Sequence, residues 1–136
     1  MKIKLLVSLI AIATLLSACA ASYNSPDELR TKGHKTTAII DAEHVMLYKE
    51  ALRQMHLCWD MEPFRVNNDF VGQTSEITVG LYRPIYQPLL HTVIDMKAAD
   101  TKTEIVVSGA NQAAIDKIVD GLRFFGQGKA SKLCNN

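Results

Sequence analysis

The segment from Leu5 to Leu16 divides the chain into a part that folds and a part that does not. It is apolar apart from Ser8 and Thr14, and Lys2 and Lys4 place positive charge before it. As a helix its twelve residues would extend only about 18 Å, well short of the roughly 30 Å of a bilayer's hydrocarbon core. A charged start followed by an apolar run of this length is the layout of a secretory signal, which is removed and takes no part in the mature fold. No later stretch is apolar enough to span a membrane, so the fold has to be read from the residues that follow.

Leu16-Ser17-Ala18-Cys19 stands just after the apolar run. With the charge and run before it, this tetrad resembles the lipobox of bacterial lipoproteins, a likeness that covers residues 1 to 19 alone. It implies a diacylglyceryl thioether on Cys19, cleavage between Ala18 and Cys19, and frequent acylation of the new amine. Two or three acyl chains hold a protein stably, since each buried methylene contributes about 0.8 kcal/mol and one chain alone binds marginally. Ala20 stands where an aspartate resembles an inner-membrane retention signal, so the likeness implies the outer membrane of a diderm envelope. The partners then expected are membrane lipid, through the anchor, and an envelope protein or the cell wall.

The chain has three cysteines. With lipid on Cys19, Cys58 and Cys134 remain as an even pair in an oxidising compartment, and a Cys58–Cys134 disulfide is expected. It would close a loop of about 76 residues, worth roughly 4 kcal/mol in the chain-entropy account. Two free thiols are the alternative. A metal site is disfavoured because the two cysteines stand far apart without a CxxC partner.

Removing residues 1–18 takes away two lysines and no acids, so the formal charge of +1 becomes −1. No basic patch or stripe remains to suggest nucleic-acid binding. The 136 residues allow one domain. The expected organisation is a signal peptide over 1–18, a lipidated N-terminus and flexible tether over 19–40, and a single α+β domain over 41–136. The tether assignment rests on small polar residues around Ser25-Pro26 and on alternating charge from Asp27 to Thr37. As a coil it would hold the domain on the order of 25 Å from the lipid.

Within the domain the hydrophobic period changes twice. Val45, Tyr48, Leu52, Met55 and Trp59 recur at three- and four-residue spacing and predict a helix from Asp41 to Leu57, with Asp41 as its cap. Phe64 and Val66 suggest a short strand or an irregular segment before Asn67-Asn68-Asp69, which favours a turn. Ile77, Val79 and Leu81 alternate with polar or small neighbours, the period of a half-buried strand. Arg83-Pro84 interrupts it. A second strand fits Leu89 to Lys97, with Leu90, Thr92, Ile94 and Met96 on one face. A third fits Thr103 to Ser108, rich in β-branched residues. Asn111 is placed to cap a last helix with Ala114, Ile115, Ile118, Val119, Leu122 and Phe125 as its stripe, and Gly126 stands where a C-cap glycine belongs. The fold expected is two-layer α+β: an antiparallel sheet of three to four strands, with an N-terminal and a C-terminal helix packed on one face.

Reactive motifs are sparse. His34, His44, His56 and His91 lack metal-ligand spacing, and Glu43-His44 lacks the second histidine of HExxH, so no metal is expected. Ser75, Ser108 and Ser131 do not sit in GxSxG. The glycines are isolated, and no cofactor-cradling loop appears. Tyr82, Arg83, Ile85 and Tyr86 fall in a segment bounded by Pro84 and Pro88. They read either as partner anchors on a hairpin tip or, the reading favoured by prolines beside a strand, as a loop folded over its own core. Trp59 reads as a core residue packed on the disulfide. These features favour a non-catalytic binding or assembly module. One alternative is a small-ligand or metal binder using the sheet face opposite the helices, with Thr78, Gly80, Tyr82 and His91. Another is a hydrolase whose site assembles only in three dimensions.

Overall fold

A computed structural model describes residues 23–57, 63–81 and 88–129. Helix α1 (Pro26–Lys32) leads into strand β1 (His34–Ile40) and helix α2 (His44–Leu57); strands β2 (Pro63–Asp69), β3 (Thr74–Leu81), β4 (Leu89–Ala99) and β5 (Lys102–Gly109) follow, and helix α3 (Gln112–Gly126) comes last. The strands form one open antiparallel sheet in the order β1-β5-β4-β3-β2, so the fold is α+β, with five strands and three helices among the described residues.

The two-residue alternation of the strands sorts their side chains into two faces. Ala38, Ile40, Ile77, Val79, Ile94, Met96, Ile105 and Val107 point to one face. There they meet Leu47, Tyr48, Ala51 and Met55 of α2 and Ile115, Ile118, Val119 and Leu122 of α3. This is the main core. The Asn111 side chain accepts from the Ala114 N–H and starts α3, as its sequence predicts.

The structure corrects several expectations. Residues 26–40 are not a tether: α1 and β1 occupy them, and β1 pairs with β5 over its whole length, from His34 opposite Gly109 to Ile40 opposite Thr103. Five strands replace three to four, and α1 adds a partial third layer on the face opposite α2 and α3. There Leu29 packs with Leu90, Val93 and Tyr23. Asn67-Asn68-Asp69 belongs to β2, and the turn falls at Phe70 to Gln73, where Asp69 Oδ1 accepts from the Gly72 N–H at 2.8 Å. Helix α2 starts at His44 rather than Asp41, because β1 runs on to Ile40 and the chain must turn first. The turn is held by the Thr103 hydroxyl, which donates to the Ala42 carbonyl at 2.8 Å. Its buried side holds His44, Leu47, Tyr48, Glu50, Ala51, Gln54 and Met55, a face turned from the one centred on Val45 and Leu52.

Leu90 does not share a face with Thr92, Ile94 and Met96. Val79 pairs with Thr92 and Gly80 with Leu90, so His91 is an extra residue in β4, and this bulge turns Leu90 onto the Leu29 side. Gly126 is the last helical residue rather than a residue beyond the helix. A Cβ there would lie 2.8 Å from Ile40 Cγ2, so its small size lets α3 close on β1.

Candidate functional site

On the face away from α2 and α3, two rows of side chains run across the strands. The register aligns Asn67, Glu76, Asp95 and Val106 in one row, and Asp69, Thr74, Lys97 and Glu104 in the next. Together they line an open groove of about 470 Å³. Helix α1 covers the neighbouring part of this face, where Leu29 packs at Leu90 and Val93, nearer the start of β4, and its Arg30 reaches two residues of the groove's edge.

Glu76 and Asp95 are directly opposite one another on β3 and β4. Like charges in that relation oppose pairing. Arg30 of α1 resolves the conflict. Its Nε donates to Asp95 Oδ2 at 2.9 Å, and one Nη donates to Asp95 Oδ1 at 2.7 Å and also to Glu76 Oε2. The other Nη donates to Asp27 at 2.9 Å. Asp95, with Glu76 and Asp27, holds the guanidinium charged beyond its ordinary range. Arg65 of β2 adds a contact from its Nη to Glu76 Oε1 at 3.3 Å. The cross-strand carboxylate pair is therefore docked beneath α1, and Ser25 places that helix by accepting from the Glu28 N–H at 3.1 Å.

A second polar cluster lies under α2. The Ser75 hydroxyl donates to Asn68 Oδ1 at 2.9 Å and stands 2.7 Å from His44 Nε2. With the serine proton directed at Asn68, the imidazole donates from Nε2, the reverse of the role a general base needs. His44 is only 3% exposed, and burial lowers its pKa below the ordinary imidazole value. The arrangement pins the start of α2 to β3. Ser108 is fully buried.

At the turn joining β2 and β3, Phe70 stands edge-on to Tyr48 with ring centroids 6.0 Å apart, and Val71 is 97% exposed. Among the described residues, no group of three or more His, Cys, Asp or Glu is placed to hold a metal, and no helix is long and apolar enough to cross a membrane.

The residues singled out from sequence fare unevenly. Cys19, Cys58, Cys134, Trp59, Ser131, Tyr82, Arg83, Ile85 and Tyr86 lie outside the described residues. Thr78 is buried, Gly80 is half-buried, and His91 is exposed at the β4 bulge. None of the three lines the groove. Arg30, Glu76 and Asp95 were missed, because their convergence needs the β3–β4 register and a helix forty-odd residues upstream. One local signal was available: Ser25-Pro26-Asp27-Glu28 has the serine and the glutamate three residues later that mark a helix start. No protein-family model, curated protein or solved structure matches this chain.

Proposed function

We propose that the chain is an exported lipoprotein, anchored through Cys19 in the outer membrane, that works as a non-catalytic binding or assembly module of the envelope. Its partner would sit on the open half of the sheet. The observation that carries this reading is the groove itself. It is a rigid, hydrogen-bonded surface with four carboxylates, Asp69, Glu76, Asp95 and Glu104, and one lysine, Lys97, around Val106. Arg30 and Arg65 between them engage both oxygens of Glu76, and Arg30 both oxygens of Asp95, so these two carboxylates are fixed in place and the exposed Asp69 and Glu104 offer the acceptors that meet a partner. Such a surface suits a partner rich in N–H groups, a peptide or a cell-wall peptide stem, better than a polyanion.

The test is in-cell photo-crosslinking of the anchored protein. A photoreactive residue at Thr74 or Glu104 should yield a discrete adduct identifiable by mass spectrometry, and one at the exposed Asp120 on α3 should not. Adducts that form equally at all three positions, or none at the groove, would overturn the reading. Cys19→Ser should release the protein from the membrane fraction, which checks the anchor separately.

A second reading, a small-ligand site, is favoured by the groove volume of about 470 Å³, within the roughly 300–1,000 Å³ usual for ligand pockets. A native-state ligand raises the melting temperature. A library of amine- and amide-bearing compounds that produces shifts abolished by Asp95→Asn would favour it over a macromolecular partner.

A further inference from the structure

The chain becomes part of the fold almost as soon as it leaves the proposed anchor. The Leu90 N–H donates to the Tyr23 carbonyl at 2.8 Å, and Tyr23 forms a single bridge to Leu90. Its ring packs on the Leu29–Leu90–Val93 cluster, and its hydroxyl donates to the Lys32 carbonyl at 3.4 Å. Four residue steps separate Cys19 from Tyr23. Fully extended they reach roughly 13–14 Å, about half the span expected of a flexible tether. The interfacial zone of a bilayer is itself about 5–8 Å deep on each side.

Tyr23 marks one end of the sheet. Strand β4 begins there at Leu89, and the register places the start of β1 and the end of β5 beside Thr92. Leu81, the last residue of β3, lies opposite Leu89 and is 57% exposed. Lys32, His34, Lys35 and His91 are exposed at the same end. Of the acids nearby, Glu28 is paired with Lys32 at 3.0 Å and Asp27 with Arg30. A half-buried tyrosine, an exposed leucine and cations with long stems make up a set that suits a headgroup layer. The opposite end carries the Phe70–Val71 turn and the second groove row. From Leu90 to Ala99, β4 alone spans about 30 Å.

We infer that the sheet end marked by Tyr23, Leu81 and His91 rests on the phospholipid headgroups of the membrane that holds Cys19, with the Phe70–Val71 turn directed away from it. This inference rests on the lipid-anchor reading above. The bilayer is the occupant because a linker of at most about 13–14 Å keeps this end within about 10 Å of the headgroup layer, nearer than any other surface of the envelope.

The experiment uses the full, natively processed protein, purified in detergent and reconstituted into vesicles of phosphatidylethanolamine and phosphatidylglycerol. A fluorescent non-natural residue is placed at Leu81, at His91 or at Val71, all exposed positions, and a fraction of the headgroups carries a nitroxide quencher. Quenching at Leu81 and at His91 should exceed that at Val71 by about threefold or more, given the separation of the two ends. Inserting about ten Gly-Ser residues after Ala20 should erase most of the difference. Equal quenching at all three positions with the native spacing, or stronger quenching at Val71, would overturn the docking. Intact mass and flotation of the same sample report the anchor. An acylated, floating protein with uniform quenching sinks the docking alone, whereas an unacylated protein that does not float sinks the anchor reading and the docking with it.

Discussion

The two faces of the sheet are built from the same strands by opposite means. One face is aliphatic and closed: Ile77, Ile94, Ile105 and Val107 are buried beneath two helices of 14 and 15 residues. The other is crossed by a helix of seven residues and held there by one leucine and one arginine, with a charged groove beyond. The first face needs only shape and apolar area, so many sequences could satisfy it. The second depends on particular charges: Glu76 and Asp95 would repel across the strands without Arg30. A surface of that kind stays ordered while remaining open to solvent, which a purely apolar face could not do without a partner.

The contrast can be broken most severely on the closed face. Ile94→Ala should cost about 3–4 kcal/mol, because a fully buried side chain is removed between two packed layers; the shift in urea midpoint at an unchanged slope measures it. Leu29→Ala should cost less, about 2–3 kcal/mol, since its cluster is small. It should also raise amide exchange in α1 well before exchange in β4 and β5, and equal loosening of all three would show the faces to be one unit.

Arg30→Met sharpens the comparison further. With the arginine gone, Glu76 and Asp95 face one another unpaired, and a loss of about 1–2 kcal/mol is expected, smaller in high salt. Restoring stability with Glu76→Gln in the same chain would confirm that repulsion is the cause. A smaller, pH-dependent effect belongs to His44. Burial lowers its folded-state pKa below the ordinary value of 6.5, so the unfolded chain binds the proton more readily. The stability His44 contributes is complete above that value and is lost as pH falls through it. Urea midpoints at pH 7.5 and 5.5 should differ less for His44→Gln than for the unaltered protein. Glu104→Ala, on the groove's open rim, should change stability by no more than about 0.5 kcal/mol, so any effect it has on crosslinking reports binding alone.

The closed face was largely legible. The stripe from Ala114 to Phe125, the Asn111 cap and the β-branched run in β5 each follow a single hydrophobic period, and α3 and β3 to β5 lie within a few residues of where they were expected. The face of α2 was not, because it buries polar side chains that a hydrophobic count discards. His44 is paired with Ser75. Glu50, 8% exposed, accepts from Arg53 and Gln54, and its pKa is lowered first by Arg53. The open face was almost invisible. Helix α1 buries one apolar residue, Leu29, and β1 alternates weakly, so composition alone makes both look like linker. What reveals them is the Ser25–Glu28 cap and the pairing of β1 with β5, and only the first of these is local.

The strand order has a consequence for the sequence of events in folding. Strands β2 to β5 are consecutive neighbours and can assemble as successive hairpins, whereas β1 finds its partner only in β5, more than sixty residues further on. A chain synthesised from its N-terminus would therefore deliver β1 early and leave it waiting, its ladder hydrogen bonds unmade until nearly the whole domain had emerged. Closing so long a loop is the slow, entropically costly kind of contact. Chaperone protection before folding is complete would matter most for His34–Ile40, and a circular permutant that begins at β2 and rejoins β1 after α3 would shorten that exposed interval.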